Sequence, residues 1–214
     1  MSDFYSTHQR TFQDAFATRG LADRVESMTV HDFVRDSERA FIESRDMFFL
    51  ATIDERGMPT VSYKGGDPGF VQVRDEKTLC FPIYNGNGMF LSAGNISGNG
   101  KVGLLFIDFE KPNRLRVHGR ATAEDGDTEV SVGSELLITV TVEEVFVNCP
   151  RYIHRYRKVE PSAYVPRENG PTPLPDWKRI DGLQDVLSEE ERTRAREAGL
   201  LTLREFAKLQ EGQL

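Results

Sequence analysis

The 214-residue chain is long enough to bury a core without disulfides, and 38% hydrophobic and 29% charged residues are ordinary for a globular domain. A formal net charge of -7 argues against nucleic-acid binding, which depends on lysine and arginine side chains that neutralise phosphates. No apolar run approaches the about 20 residues of a membrane span, and the N-terminus lacks the apolar stretch of a signal peptide, so we expect a cytoplasmic protein without membrane contacts.

The N-terminal part of the chain is predicted to be helical. Phe12 and Phe16 recur at helical spacing, and Gly20 is expected to end that helix. Apolar residues at helical spacing predict another helix within 31–45. Thr29, three residues before an aspartate, is expected to be its N-terminal cap.

The middle of the chain has the pattern of a β-rich domain. Its short apolar runs are separated by glycine-rich turns and predict strands at 48–53, 60–63, 70–73, 78–83, 102–109, 115–121 and 136–147. Helical spacing at 87–96 predicts one short helix among the strands. Many short strands in one chain favour a closed or partly closed barrel, so the fold is expected to be mainly β with flanking helices.

The last part of the chain differs in composition. A proline-rich stretch leads to two Ser/Thr-x-x-Glu capping boxes, Ser188 with Glu191 and Thr202 with Glu205, which predict the starts of two short helices. The sequence is therefore divided into a helical extension, a barrel domain and a tail, at 1–40, 41–158 and 159–214.

A glycine-rich segment is the best candidate for a ligand site. It joins a predicted strand to the predicted short helix and consists of Asn85, Gly86, Asn87, Gly88, Met89 and Phe90. Glycines let the backbone approach a ligand, and the first N–H groups of a helix have no internal partner, so such a segment can receive a phosphate. The pattern matches neither a Walker A motif nor GxGxxG, and a plain turn with a helix cap would look much the same.

A second candidate lies at the end of a predicted strand and consists of Ser62, Tyr63 and Lys64. Its ammonium and hydroxyl groups could complete the charge of a phosphate, although an ordinary solvated lysine fits the same pattern.

A third candidate is the basic face of a later strand. Arg114, Arg116 and His118 share one side of that strand, and Leu115 and Val117 share the other. Such a face could meet an anionic ligand, a partner subunit or only solvent.

Metal sites and nucleophile sites are not expected. The four histidines lie far apart without HxH or HxxxH spacing, so no metal is predicted. Cys80 and Cys149 lack a CxxC partner and are predicted to be reduced thiols. Ser92 lies in LSAGN rather than GxSxG, which argues against a nucleophile elbow.

Three sequence blocks, in order, resemble the flavin-binding proteins related to pyridoxamine 5'-phosphate oxidase. The blocks are FFLATIDERGMPTVSYKGGDPGFV, LCFPIYNGNGMFLSAGNISGNGKVGLLFIDFE and RLRVHGRA. They cover roughly residues 41–119, with looser similarity to about His154. The resemblance implies a six-stranded FMN-binding split β-barrel that forms a homodimer, with FMN at the subunit interface.

The resemblance also assigns residues to the cofactor. Lys64 takes the place of a basic residue that reaches the FMN phosphate, with Ser62 and Tyr63 beside it. The glycine-rich segment takes the place of the next phosphate-binding segment, together with Ser92 and Asn95. It lacks the usual Ser-Arg-Lys cluster, so backbone N–H groups are expected to do more of the binding.

Two further differences bear on activity. Arg114 replaces a glutamine near the flavin, where a cation would stabilise a reduced, anionic flavin. The oxidase's C-terminal substrate-binding arginine and histidine have no match in the tail, so pyridoxal phosphate synthesis is not expected. The leading hypothesis is an FMN-dependent oxidoreductase with a small-molecule substrate or electron donor. A non-catalytic flavin carrier or sensor is the alternative, and a haem-filled barrel is a third hypothesis.

Overall fold

The computed structural model describes residues 4–126, 131–168 and 170–211. The chain divides after residue 160 into two compact units, 1–160 and 161–214. The first unit contains the N-terminal helices and all the β-strands that are found among the described residues.

The first unit is built on one antiparallel sheet. Among the described residues the sheet has seven strands: β1 (Met47–Ile53), β2 (Pro59–Gly65), β3 (Gln72–Asp75), β4 (Thr78–Tyr84), β5 (Lys101–Asp108), β6 (Asn113–Asp125) and β7 (Ser134–Val147). Their order is β2-β1-β5-β6-β7-β4-β3, and each neighbouring pair is antiparallel. The mainly β fold with flanking helices is confirmed, and the sheet has one strand more than the six that the resemblance implies.

Alternation along the strands separates an inner face of the sheet from an outer face. In β1, Phe48 and Leu50 are fully buried, whereas Phe49 between them is half-exposed. The ring centroid of Phe48 lies 4.9 Å from that of Phe81 and 5.1 Å from that of Phe106. Aromatic rings from three strands therefore meet on the inner face, which forms the hydrophobic core.

Among the described residues of the first unit, four helices flank this sheet. Three of them precede it, and they are α1 (Thr7–Ala15), α2 (Arg19–Thr29) and α3 (Asp36–Glu43). The fourth, α4 (Leu91–Asn99), lies between β4 and β5, where the sequence predicts a short helix.

The predicted end of the first helix at Gly20 is wrong. Gly20 lies inside α2, and the chain turns between α1 and α2 at Ala17, whose φ of 55° is left-handed. A left-handed residue cannot continue a right-handed helix, so the break needs no glycine.

The predicted cap of the next helix is also wrong. Thr29 is the last residue of α2, and the chain then extends so that the N–H of His31 donates to the carbonyl of Val145 at 3.1 Å. The helix expected within 31–45 therefore begins only at Asp36. Pairing with β7, which is far away in sequence, outweighs the local helical spacing.

Among the described residues of the second unit, the named elements are short helices. They are α5 (Glu189–Glu197) and α6 (Leu203–Glu211), preceded by 3-10 turns at Asp176–Arg179 and Asp181–Leu183. Both predicted caps are confirmed: Ser188 Oγ accepts from the N–H of Glu191 at 3.2 Å, and Thr202 Oγ1 accepts from that of Glu205 at 3.3 Å. The buried Lys178 donates to Glu191, which lowers the pKa of that carboxyl group.

No helix in the described ranges is long and apolar enough to cross a membrane. The same residues contain no group of three or more His, Cys, Asp or Glu side chains placed to hold a metal ion.

Candidate functional site

A cavity of about 230 Å³ opens between the ends of β2 and β4 and the start of α4. It is lined by Ser62, Lys64, Ile83, Tyr84, Gly86, Asn87, Gly88, Met89, Phe90, Leu91, Ser92, Ala93 and Glu135. Both predicted phosphate-binding segments contribute to this lining. Two sequence signals that are weak by themselves are thus brought to one place by the fold.

The glycine-rich segment reaches the cavity through left-handed backbone. Gly88 has a φ of 75°, which glycine adopts freely, and Phe90 has a φ of 46°, which is uncommon for a side chain of its size. Between them the N–H of Met89 donates to Asn87 Oδ1 at 3.1 Å. Left-handed residues of this kind concentrate at ligand sites, where the surrounding structure holds them in place.

The start of α4 supplies unpaired N–H groups to the cavity. Phe90 is the N-cap residue and gives no side-chain hydrogen bond. The bond nearest this end joins the N–H of Gly94 to the carbonyl of Phe90 at 2.7 Å. The N–H groups of Leu91, Ser92 and Ala93 therefore have no partner within the helix. Because these residues line the cavity at the positive end of a helix, this corner favours an anion.

The end of β2 brings two polar side chains to the same cavity. Ser62 and Lys64 line it, and Tyr63 between them lies on the other face of the strand. Ser62 Oγ lies 3.1 Å from Ser92 Oγ, so a hydrogen bond joins β2 to the start of α4. Two hydroxyl groups and an ammonium group thus accompany the open helix end.

Lys64 is the one cationic side chain among the described residues that line this cavity. Its side chain is half-buried, and it forms no hydrogen bond or ion pair with any residue that the structure describes. Loss of solvation lowers the pKa of its ammonium group. Because no carboxylate of the described residues pairs with this ammonium group, a bound anion would give it a direct ionic partner.

Glu135 is a lining residue that sequence reasoning missed. It is the second residue of β7, and the pairing of Tyr84 with Ser134 brings it to the cavity. Its Oε1 accepts from Asn85 Nδ2 at 2.6 Å, while Asn85 itself is not part of the lining. No motif marks this glutamate, and only the register between β4 and β7 could have revealed it.

Other residues assigned to the cofactor also lie outside the cavity lining. The ring of Tyr63 meets that of Phe49 edge-on, with centroids 6.1 Å apart. Asn95 Nδ2 donates to Thr52 Oγ1 at 3.0 Å and so ties α4 to β1. Within one chain these two residues contact side chains of β1 and not the cavity, and their contact with a cofactor stays a prediction.

The basic outer face of β6 has the alternation that the sequence predicts. Leu115 and Val117 are buried, whereas Arg114, Arg116 and His118 are half-exposed on the opposite face. These three residues are not among those that line the cavity. The site predicted from the sequence is therefore split between the cavity and this outer face.

Comparison with known protein families identifies one match. Residues 34–149, more than half of the chain, match the family model for pyridoxamine 5'-phosphate oxidase. No curated protein sequence matches the chain significantly.

Several solved structures are similar to the chain at low sequence identity. A putative pyridoxamine 5'-phosphate oxidase from Lactobacillus delbrueckii is 23% identical, with 54% of this chain and 95% of that chain covered and a TM-score of 0.44. The heme storage protein HutZ from Vibrio cholerae is 20% identical, with 53% and 94% covered and a TM-score of 0.40. An FMN-binding protein from Syntrophomonas wolfei is 9% identical, with 64% and 97% covered and a TM-score of 0.43.

Proposed function

Because the chain belongs to the pyridoxamine 5'-phosphate oxidase family, we propose that it is an FMN-dependent oxidoreductase that acts as a homodimer in the cytoplasm. Its substrate is a small molecule that exchanges electrons with the flavin. FMN, when bound, supplies the redox chemistry, and the chain binds, orients and shields the cofactor.

The observation that carries this proposal is the set of donors in the cavity. The ammonium group of Lys64, the hydroxyl groups of Ser62 and Ser92 and the free N–H groups of α4 suit a phosphate monoester. Haem fits less well, because its iron takes an axial ligand such as histidine. The described residues that line the cavity include no histidine.

In a single chain the cofactor cavity is small and apolar side chains of the outer sheet face stay partly exposed, and both features favour a homodimer. A cavity of about 230 Å³ is smaller than the roughly 300–1,000 Å³ of typical ligand pockets, so it suits the phosphate end of the cofactor rather than the whole. On the outer sheet face, apolar side chains such as Phe49 and Leu105 are only half-buried. A second copy over this face would bury them and add a wall to the cofactor site.

Arg114 is proposed to tune the flavin from that outer face. A cation near the pyrimidine edge stabilises the reduced, anionic flavin relative to the oxidised form, and so raises the reduction potential. We expect Arg114→Gln to lower the potential of the bound flavin, measured by equilibration with redox dyes. An unchanged potential would contradict this role for Arg114.

The first test is a visible absorption spectrum of the purified protein, with mass analysis of what denaturation releases. We expect the bands of oxidised flavin and the mass of FMN. A colourless protein that also fails to quench the fluorescence of added FMN would overturn the cofactor assignment.

A second test separates an oxidoreductase from a flavin carrier or sensor. NADH or NADPH is added to the flavin-loaded protein without oxygen, and the flavin bands are followed before and after a candidate acceptor is supplied. Bleaching and reoxidation with net conversion of the acceptor support an oxidoreductase. A flavin that stays bound and oxidised with both donors favours the carrier or sensor.

A further inference from the structure

The outer face of β6 carries two arginines that no acidic side chain of the described residues neutralises. Neither Arg114 nor Arg116 forms an ion pair with a residue that the structure describes, although the chain has a net charge of -7. Arg114 donates to the carbonyl of Cys149 at 2.9 Å, and its buried Nε has no partner within the described part of the chain. Half-buried guanidinium groups of this kind are costly unless an anion joins them.

Arg116 has an aromatic neighbour where a carboxylate would be expected. Phe146 pairs with it across β6 and β7, and the guanidinium carbon lies 6.0 Å from the centre of the ring. Burial and the nearby charge of Arg114 lower the pKa of Arg116. A ring supports a planar guanidinium group without using its N–H donors, so these donors remain available to a ligand.

His118 lies on the same face, two residues further along β6. Its Nδ1 is 2.9 Å from Glu144 Oε2, and its ring meets that of Phe146 edge-on at 5.0 Å. Because Glu144 accepts the proton on Nδ1, Nε2 is a hydrogen-bond acceptor in the neutral ring. Nε2 has no partner among the residues that the structure describes.

A β-bulge directs Glu144 toward His118. The register between β6 and β7 shifts between His118 and Gly119, and two successive glutamates of β7, at 143 and 144, both stay unburied. Gly119 is required there, because a Cβ atom would lie 2.2 Å from the carbonyl oxygen of Thr141. The pairing of imidazole and carboxylate is thus fixed by the sheet itself and does not depend on flexible side chains alone.

Small residues leave room beside the imidazole. Gly103 of β5 pairs with His118, and Ala51 of β1 pairs with Gly103. A Cβ atom at Gly103 would lie 3.6 Å from His118 Cδ2 and 3.7 Å from Ala51 Cβ. The residues beside the imidazole ring on β5 and β1 are therefore small, and they leave space next to the ring.

We propose that Arg116 and His118 together bind a small organic anion on the outer sheet face. Arg116 holds its carboxylate or phosphate group, and Nε2 of His118 accepts a hydrogen bond from a hydroxyl or amino group of the same molecule. Residues two apart on a strand are about 7 Å apart, so one small molecule can reach both side chains. The identification of this anion as the substrate rests on the proposed oxidoreductase function; the binding site itself does not.

Glycolate and acetate are the probes for this site, because they differ only by the hydroxyl group that His118 would bind. Each is titrated into the full-length protein, and the Arg Nε–H and imidazole signals are followed by NMR. We expect saturable binding of both anions and tighter binding of glycolate. Arg116→Gln should weaken both by about tenfold or more, the effect of one charge-assisted hydrogen-bonded pair.

His118→Phe should reduce the affinity for glycolate to that for acetate and leave acetate unchanged. Arg120→Gln is the matched control, because Arg120 lies on the same strand but its Nε donates to Glu143 at 3.1 Å. If Arg116→Gln does not fold, Arg116→Lys replaces it in the test. This variant keeps the charge but loses the planar guanidinium group, so it should weaken the binding of both anions less than tenfold.

Three results would overturn the anion site: no saturable binding to the wild type, equal losses in Arg120→Gln and Arg116→Gln, or an unchanged preference for glycolate in His118→Phe. The flavin spectrum of the same sample keeps the two proposals apart. A protein that is colourless, fails to quench the fluorescence of added FMN and still binds glycolate overturns the FMN assignment alone. A flavoprotein that binds neither anion overturns the anion site alone.

Discussion

The inner and outer faces of the sheet are made from the same strands and differ in how completely their side chains find partners. Phe48 and Phe106 on the inner face are fully buried and in contact. One residue along, Phe49 is half-exposed, and Arg116 on the same outer face lacks an ion-pair partner among the described residues. The inner face therefore makes the hydrophobic core, whereas the outer face carries aromatic and charged side chains that one chain buries only in part.

The largest expected effect separates the two faces within one strand. Phe48→Ala should lower the free energy of unfolding by about 3–5 kcal/mol, because it leaves a cavity in the aromatic core. Phe49→Ala should cost about 1 kcal/mol or less in the monomer, because its side chain is only half-buried. Urea unfolding at a protein concentration that keeps the chain monomeric compares them. Equal losses would remove the distinction between the faces.

The next effect tests the bulge that shapes the outer face. Gly119→Ala should lower the free energy of unfolding by about 1–3 kcal/mol, because the new Cβ atom meets the carbonyl of Thr141. Gly103→Ala is the matched control, since its nearest neighbour would be at an ordinary 3.6 Å. It should be neutral or slightly stabilising. If Gly103→Ala proved as costly in thermal unfolding as Gly119→Ala, the close approach at the bulge would not be the cause.

A third effect concerns the edge of the inner face, where it opens into the cavity. Lys64 pairs with Phe48 and therefore lies on the same side of the sheet. Lys64→Gln should weaken FMN binding about tenfold or more, because it removes the only lysine among the described residues that line the cavity. Lys101→Gln removes an exposed lysine at the start of β5 and should leave the affinity unchanged. Fluorescence quenching of FMN measures both variants.

The smallest effect is the pH dependence of the same interaction. Burial lowers the pKa of Lys64 below that of an exposed lysine, which is about 10.4. Its ammonium group is therefore charged at low pH and loses its proton earlier than an exposed lysine as the pH rises. FMN affinity should therefore fall as the pH rises from neutral to alkaline. It should also fall below about pH 6, where a phosphate monoester takes up its second proton. In Lys64→Gln the alkaline decline should disappear from the quenching titration.

Local patterns in the sequence predicted the parts of the fold that depend on neighbours along the chain. Alternation placed Leu115 and Arg116 on opposite faces of β6, and the cap at Thr202 followed from Glu205 three residues later. The glycine-rich segment was recognised as a strand-to-helix junction for the same reason. Each of these features is fixed by residues a few positions apart.

Apart from the wrong helix end at Gly20, which has a local cause, the errors and omissions come from contacts between distant parts of the chain. His31 is extended because Val145 pairs with it, and Glu135 reaches the cavity because β4 and β7 share one register. The bulge that brings Glu144 opposite His118 shifts the register between β6 and β7 by one residue. Spacing in the sequence carries no information about any of these pairings, which is why the cavity was only partly predicted and the pair on the outer face was not predicted.

The presence of Glu135 in the cavity limits how much negative charge a ligand can bring there. Among the described lining residues Lys64 is the cation and Glu135 the anion, so the side chains by themselves are electrically balanced. Only the helix end is left to offset a phosphate, and a helix end contributes about half a unit of positive charge. A phosphate monoester carries about 1.5 to 2 negative charges at pH 7, which is more than the helix end alone offsets. Glu135 therefore opposes the binding of a phosphate group in this cavity, whatever the rest of the ligand is.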